Sequence, residues 1–136
     1  MMDERELIIR AEKAREDAYA PYSGYTVGAA VLTCDGRIVT GCNIENASYP
    51  AGICAERTAI FKAVSEGAAS IKMLALSAGR AGEQPFNYPS PCGICRQVMV
   101  EFGREDMTLL LAKSTDDYRR YTLGELLPLS FTAKDI

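Results

Sequence analysis

The 136-residue chain contains no histidine and no tryptophan. Without histidine there is no Ser-His-Asp or Cys-His unit, no imidazole base and no imidazole metal ligand. Acid–base chemistry falls to Asp, Glu, Lys, Tyr or Cys. An excess of positive charge is missing too: 15 Lys and Arg stand against 18 Asp and Glu, a net charge of −3. The closest approach to a basic run is Arg119-Arg120, so the basic face that nucleic acid requires is lacking and a small substrate is favoured over a polymer. No apolar run approaches the ~20 residues of a membrane span. The acidic start Met1-Met2-Asp3-Glu4-Arg5-Glu6 has no signal-peptide core. The expectation is a cytoplasmic protein with no membrane and no nucleic-acid partner.

What is present is an ordinary globular composition, 48% hydrophobic and 24% charged, in a length that suits one domain over residues 1–136. Asp3-x-x-Glu6 has the form of a capping box, and Leu7, Ile8, Ala11, Ala14 and Ala18 recur at helical spacing, predicting a helix over roughly 4–19. Tyr22 to Tyr25 reads as a turn, 27–33 and 37–41 as a hairpin closed by Cys34-Asp35-Gly36, and 43–52 as a loop. A second helix over 54–66, a strand over 71–77, a long Gly- and Pro-bearing loop over 78–91 and a third helix over 92–102 follow. Strands over 107–112 and 118–122 and a short helix over 123–127 complete the chain. Strands alternating with helices imply an α/β fold: three α-β-α layers around one five-stranded mixed sheet.

Five cysteines remain: Cys34, Cys42, Cys54, Cys92 and Cys95. An odd number without a secretion signal argues against a disulfide framework and for metal or catalytic thiols. Cys54, Cys92 and Cys95 fall at predicted helix starts, where the helix dipole favours thiolates, the metal-binding form. Three converging thiolates leave one tetrahedral position open, the layout of a catalytic zinc site. Two residues along a regular helix would turn Glu56 about 200° away from Cys54, but with Cys54 at an irregular helix start Glu56 would face that position without occupying it, which suits a proton shuttle. Cys34 and Cys42, at a turn and a strand end, read as free structural thiols.

Cys-x-x-Cys alone is a weak motif. Cys54-Ala55-Glu56 together with Ser-Pro-Cys-Gly-x-Cys-Arg-Gln at 90–97 is a strong one, and here the sequence resembles the short-chain form of the cytidine deaminase family, from Ala20-Pro21-Tyr22-Ser23 to Glu125-Leu126-Leu127-Pro128. The resemblance implies hydrolytic deamination of cytidine and deoxycytidine in pyrimidine salvage: one zinc per chain on Cys54, Cys92 and Cys95, water activated there to attack C4 of cytosine, and Glu56 carrying the proton to the leaving ammonia. Zinc, three thiolates and hydroxide together carry about two negative charges. Two helix N-termini return roughly one, and Arg57 supplies the other by donating to the thiolates, as an Arg here does in the family. In Asn43-Ile44-Glu45-Asn46 the resemblance assigns Asn43 and Glu45 to the ribose hydroxyls. Tyr25, where the family usually has Phe, is assigned to stacking on the pyrimidine. Ala55 joins the substrate pocket, and Tyr49 is a lesser candidate for it. Short-chain members are homotetramers in which an aromatic from the apolar C-terminal segment reaches a neighbour's site; Phe131 occupies that place. Phe86 and Tyr88, in the long loop, either shield the site or line a subunit contact.

Other readings explain less. A structural zinc module needs a fourth ligand that only Cys34 or Cys42 can offer. A dithiol redox protein built on Cys92 and Cys95 leaves Cys54, Glu56 and Asn43 to Asn46 without a role. A nucleic-acid editing deaminase is disfavoured by the net charge and the missing histidine ligand. A relative acting on a nucleoside antibiotic is disfavoured by Asn43 and Glu45.

Overall fold

A computed structural model describes residues 3–136. It contains α1 (Glu4–Arg15), β1 (Tyr25–Thr33), β2 (Ile38–Cys42), α2 (Ala55–Ser65), β3 (Ile71–Arg80), α3 (Gly93–Phe102), β4 (Gly103–Ala112), β5 (Tyr118–Thr122) and α4 (Leu123–Leu126). The strands form one sheet in the order β2-β1-β3-β4-β5, in which β3 and β4 are parallel and every other pair antiparallel. Period-two alternation divides β3 and β4 between two faces. Ala75 and Leu110 join Leu7, Ile8 and Ala11 of α1, while Leu74, Leu76, Leu109 and Leu111 pack with α2 and α3 through Ala59, Ile60, Ala63 and Met99. The three α-β-α layers and the five-stranded mixed sheet are as predicted.

Several boundaries differ from the sequence-based expectation. The first helix ends at Arg15 rather than near 19. Tyr19 leaves the helical path for a bridge with Ile44, exchanging Tyr19 N to Asn43 O (3.0 Å) and Glu45 N to Tyr19 O (2.8 Å). Asp3 caps α1 through Arg5 N, not through the Glu6 amide. β1 begins at Tyr25 and β3 runs to Arg80 because these two residues pair across the sheet. β4 starts at Gly103: its first residues, Arg104 to Asp106, are polar and form an irregular stretch where the β3 register shifts. The loop over 43–52 contains a short 3₁₀ turn at Tyr49–Ala51. The last helix carries the capping box between Thr122 and Glu125.

Both helical layers approach β1 and β2 closely at two glycines. A Cβ on Gly28 would sit 2.0 Å from Ala11 O, and one on Gly41 would sit 2.5 Å from Ala59 N. Backbone cannot yield there as a side chain tip can. Gly28→Ala is therefore expected to destabilise the fold by about 3 kcal/mol, the upper end for overpacking, measurable as a lower denaturant midpoint at unchanged slope. A midpoint within experimental error of wild type would show that α1 is free to lift.

The topology decides where chemistry can occur. β1 begins, and β2 and β3 end, at one edge of the sheet, because both neighbours run antiparallel to β1. α2 and α3 start from the chain that leaves β2 and β3. Their N-termini therefore meet at that edge, with two positive dipole ends aimed at one point.

Candidate active site

Cys54 is the N-cap of α2 and Cys92 the N-cap of α3, both with extended backbone; Cys95 is the third residue of α3. The two caps thus lie just outside the helices that the sequence reading had them open. Extended geometry turns Cys54 out of the helical rotation, so Glu56 is not carried to the opposite side as it would be two residues along a regular helix. The sulfurs of Cys54 and Cys92 are 3.8 Å apart and those of Cys92 and Cys95 3.4 Å apart. All three lie within 4.8 Å of one another, and they are the metal-capable cluster among the described residues. Zn–S bonds near 2.3 Å at tetrahedral angles place sulfurs about 3.8 Å apart, close to the spacing of this donor set, and three ligands leave a fourth direction open. Cys34 and Cys42 are not in the cluster.

As free thiols Cys54 and Cys95 share protons unevenly. Hydrogen bonds from Cys95 and from the Arg57 guanidinium bring Cys54 down to about 5. Cys95, donating to Cys54 and buried, is pushed up. Arg57 Nη2 lies 3.4 Å from Cys54 Sγ, and the thiolates raise the guanidinium's own pKa, its hydrogen bond to Cys54 leading. The charge compensation expected of Arg57 thus has the required geometry. Its Nε is buried without a partner, so the residue's polar work is directed at sulfur.

Glu56 is the second residue of α2 and only 4% exposed. Burial is the main cause that raises its pKa to about 7, where a carboxyl can both accept and return a proton at neutral pH. It lines a cavity of about 560 Å³, within the range of small-molecule sites. The same cavity is bounded by Tyr25, Asn43, Glu45, Cys54, Ala55 and Cys92, with Ser23, Tyr49 and Ser90. Seven of the expected site residues are therefore brought together around one space, and Arg57 borders it as well.

The family model for the cytidine and deoxycytidylate deaminase zinc-binding region matches residues 1–111. The cytidine deaminase of Sporosarcina psychrophila is 48% identical over 135 residues, spanning 99% of this chain and 96% of that one. The chain belongs to the cytidine deaminase family. The relative from Halalkalibacterium halodurans is 47% identical, over 99% of this chain and 98% of its own. The crystal structure of cytidine deaminase from Burkholderia pseudomallei superposes with a TM-score of 0.87 at 42% identity, covering 96% of this chain and all of that one. The fold and the zinc-binding enzyme class follow from these together with the thiol cluster.

Asn43 and Glu45 both bond to the chain's own turn and strand. Asn43 gives its amide to the start of β1: Nδ2 donates to Tyr25 O at 2.9 Å and Oδ1 accepts from Val27 N at 2.8 Å. Glu45 accepts from Tyr22 N (2.9 Å) and Ser23 N (3.1 Å) and from the Ser23 hydroxyl. The Ser23 hydroxyl leads the causes holding Glu45 below the usual carboxylate range. Phe131 does not line the cavity of its own chain. The residue is 59% exposed and its carbonyl accepts from Gln97 Nε2 at 2.9 Å.

Sequence reasoning passed over Ser23, Tyr22 and Ser90. The Tyr22 ring meets Tyr49 edge-on at the cavity mouth, with centroids 6.4 Å apart. Ser23 was visible in Ala20-Pro21-Tyr22-Ser23 as motif but not as partner, since nothing in the linear order places it beside Glu45. In the long loop, Tyr88 turns inward: its hydroxyl donates to Asp117 at 2.6 Å and its ring carries the Arg119 guanidinium 4.2 Å from the centroid. It pins the loop to β5. Phe86 remains exposed.

Proposed function

We propose that this chain catalyses the zinc-dependent hydrolytic deamination of cytidine and deoxycytidine to uridine and deoxyuridine, as a cytoplasmic homotetramer serving pyrimidine salvage. The observation that carries the reading is a buried carboxyl, Glu56, beside three convergent thiols in a cavity of nucleoside size. When bound, zinc supplies the Lewis acidity that activates water for attack. Cys54, Cys92 and Cys95 hold it, and Arg57 with the two helix N-termini offsets the thiolate charge. Glu56 takes a proton from the attacking water and delivers it to ring N3, then passes the second water proton to the departing amino group, so cytosine and water become uracil, protonated at N3, and ammonia. Tyr25 offers its ring to the pyrimidine, Ala55 packs beside it, and Asn43 and Glu45 receive the sugar hydroxyls.

No described helix is long and apolar enough to cross a membrane. Support for association comes from the C-terminal segment. Leu129 holds a φ of 53°, unfavourable for a branched side chain, and its side chain is fully exposed beside exposed Phe131. Strain spent on presenting apolar groups outward is explained by a second copy that covers them.

The deciding experiment is loss of ultraviolet absorbance on adding cytidine or deoxycytidine to the purified protein, with product identified chromatographically. Both nucleosides are expected to convert; a zinc-loaded protein that converts neither overturns the reading. Phe131→Ala is expected to raise KM about fivefold or more while changing kcat less, since stacking worth about 1–3 kcal/mol per base acts largely on the bound substrate. Sedimentation should give four copies. A fully active monomer, or unchanged kinetics in Phe131→Ala, would remove the tail from the site.

A further inference from the structure

We propose that Arg96 is a positioning residue of the metal centre: it locks the segment that delivers Cys92 onto the C-terminal part of the chain and thereby sets how tightly zinc is held. The inference rests on Cys54, Cys92 and Cys95 being the zinc ligands. Arg96 directs each guanidinium nitrogen to a different acceptor. Nε donates to Pro91 O at 2.8 Å, Nη2 to Ser90 Oγ at 2.7 Å and Nη1 to Leu126 O at 2.5 Å. The first two acceptors belong to the residues immediately before Cys92; the third ends α4.

The need for such a lock follows from where the ligand sits. Cys92 is the N-cap of α3, so the helical hydrogen-bond ladder begins at its carbonyl, which accepts from Arg96 N at 3.0 Å, and does not fix residues 90 and 91. Pro91 has no N–H with which to tie itself down. Zinc, in turn, tolerates only a few tenths of an ångström in ligand distance. A planar fork with three donors at fixed angles holds both residues relative to Leu126 at once, whereas a lysine keeps the charge but brings a single nitrogen to three divergent acceptors. The neighbouring Gln97 reaches only into the tail, donating to Phe131 O at 2.9 Å. The two adjacent residues of α3 thus separate the two jobs.

The test compares zinc-loaded wild type, Arg96→Lys and Gln97→Ala by the rate at which each passes its zinc to a chromogenic chelator, with thermal unfolding run alongside. Arg96→Lys is expected to release zinc roughly tenfold faster, the size typical when a group that orients a metal ligand is lost. Gln97→Ala is expected to match wild type. With cobalt(II) in place of zinc, the visible ligand-field bands of Arg96→Lys should shift or broaden, while those of Gln97→Ala should not. Equal release from Arg96→Lys and wild type overturns the proposal. So does equal acceleration in Gln97→Ala, which would reduce the effect to a loosened tail. Ser90→Ala removes only the Nη2 acceptor and should release zinc about threefold faster; it carries the test if Arg96→Lys does not fold, and unchanged release there is equally fatal. A wild-type chain that takes up no zinc would overturn the metal reading, and this inference with it.

Discussion

Glu56→Gln is expected to keep its zinc and its fold and to lose about 10²–10⁴-fold in kcat toward cytidine, the range general acid–base groups supply. Glutamine matches the size of the side chain, so the core contacts of a residue only 4% exposed are retained. What disappears is a carboxyl whose burial brings it to about 7, the region in which proton uptake and release are both easy. An amide cannot carry a proton between water and a leaving amine. Thermal stability should hold or rise, because the variant no longer buries an ionisable group. The measurements are kcat, KM, metal content and the unfolding midpoint. Activity within about tenfold of wild type, with zinc bound, would refute the shuttle role.

Removing the metal is expected to abolish turnover and to lower stability together. The three sulfurs belong to the start of α2 and the start of α3, so zinc held by them ties the two helices together. At free zinc a thousandfold above its Kd, the bound state gains about 4 kcal/mol over the stripped chain. A strong chelator should therefore depress the unfolding midpoint by several degrees as activity vanishes, and zinc should restore both. Magnesium should restore neither, because thiolates are soft ligands and magnesium requires oxygen. Full activity in a preparation shown free of zinc would refute the assignment.

The chemistry was more legible than the scaffold around it. Cys54-Ala55-Glu56 and Pro91-Cys92-Gly93-Ile94-Cys95 announce themselves because thiols, a carboxyl and helix starts are local features. That their sulfurs approach within 4.8 Å is not local; it depends on β2 and β3 both running antiparallel to β1. The helix over 4–19 overran because Ala18 extends the apolar spacing, while the hydrogen bonds that stop it come from Asn43 and Glu45, far along the chain. The polar beginning of β4 is not legible in the sequence because Arg104, Glu105 and Asp106 carry no strand signal; they lie between the pairs Ile71–Gly103 and Met73–Thr108, where the register shifts. Arg96 and Ser23 lay inside recognised motifs, yet their partners, Leu126 and Glu45, are known only once the chain is folded.

Asn43 and Glu45 each serve the backbone before any ligand arrives. A carboxylate offers about four acceptor directions, of which Tyr22 N, Ser23 N and the Ser23 hydroxyl take three on Glu45. The Asn43 amide has one N–H and one lone pair to spare after serving Tyr25 and Val27. Sugar hydroxyls, which both donate and accept, suit that remainder of two acceptor directions and one N–H. Both side chains have already surrendered their rotational freedom to the fold, so a sugar docking there escapes the roughly 0.5–1.5 kcal/mol of entropy that freezing each mobile side chain would cost. With Asn43 and Glu45 in their proposed sugar-binding role, the turn at Tyr22-Ser23 and the first residues of β1 set the sugar site in advance, and loosening that turn is expected to weaken substrate binding without touching a single contact to the base.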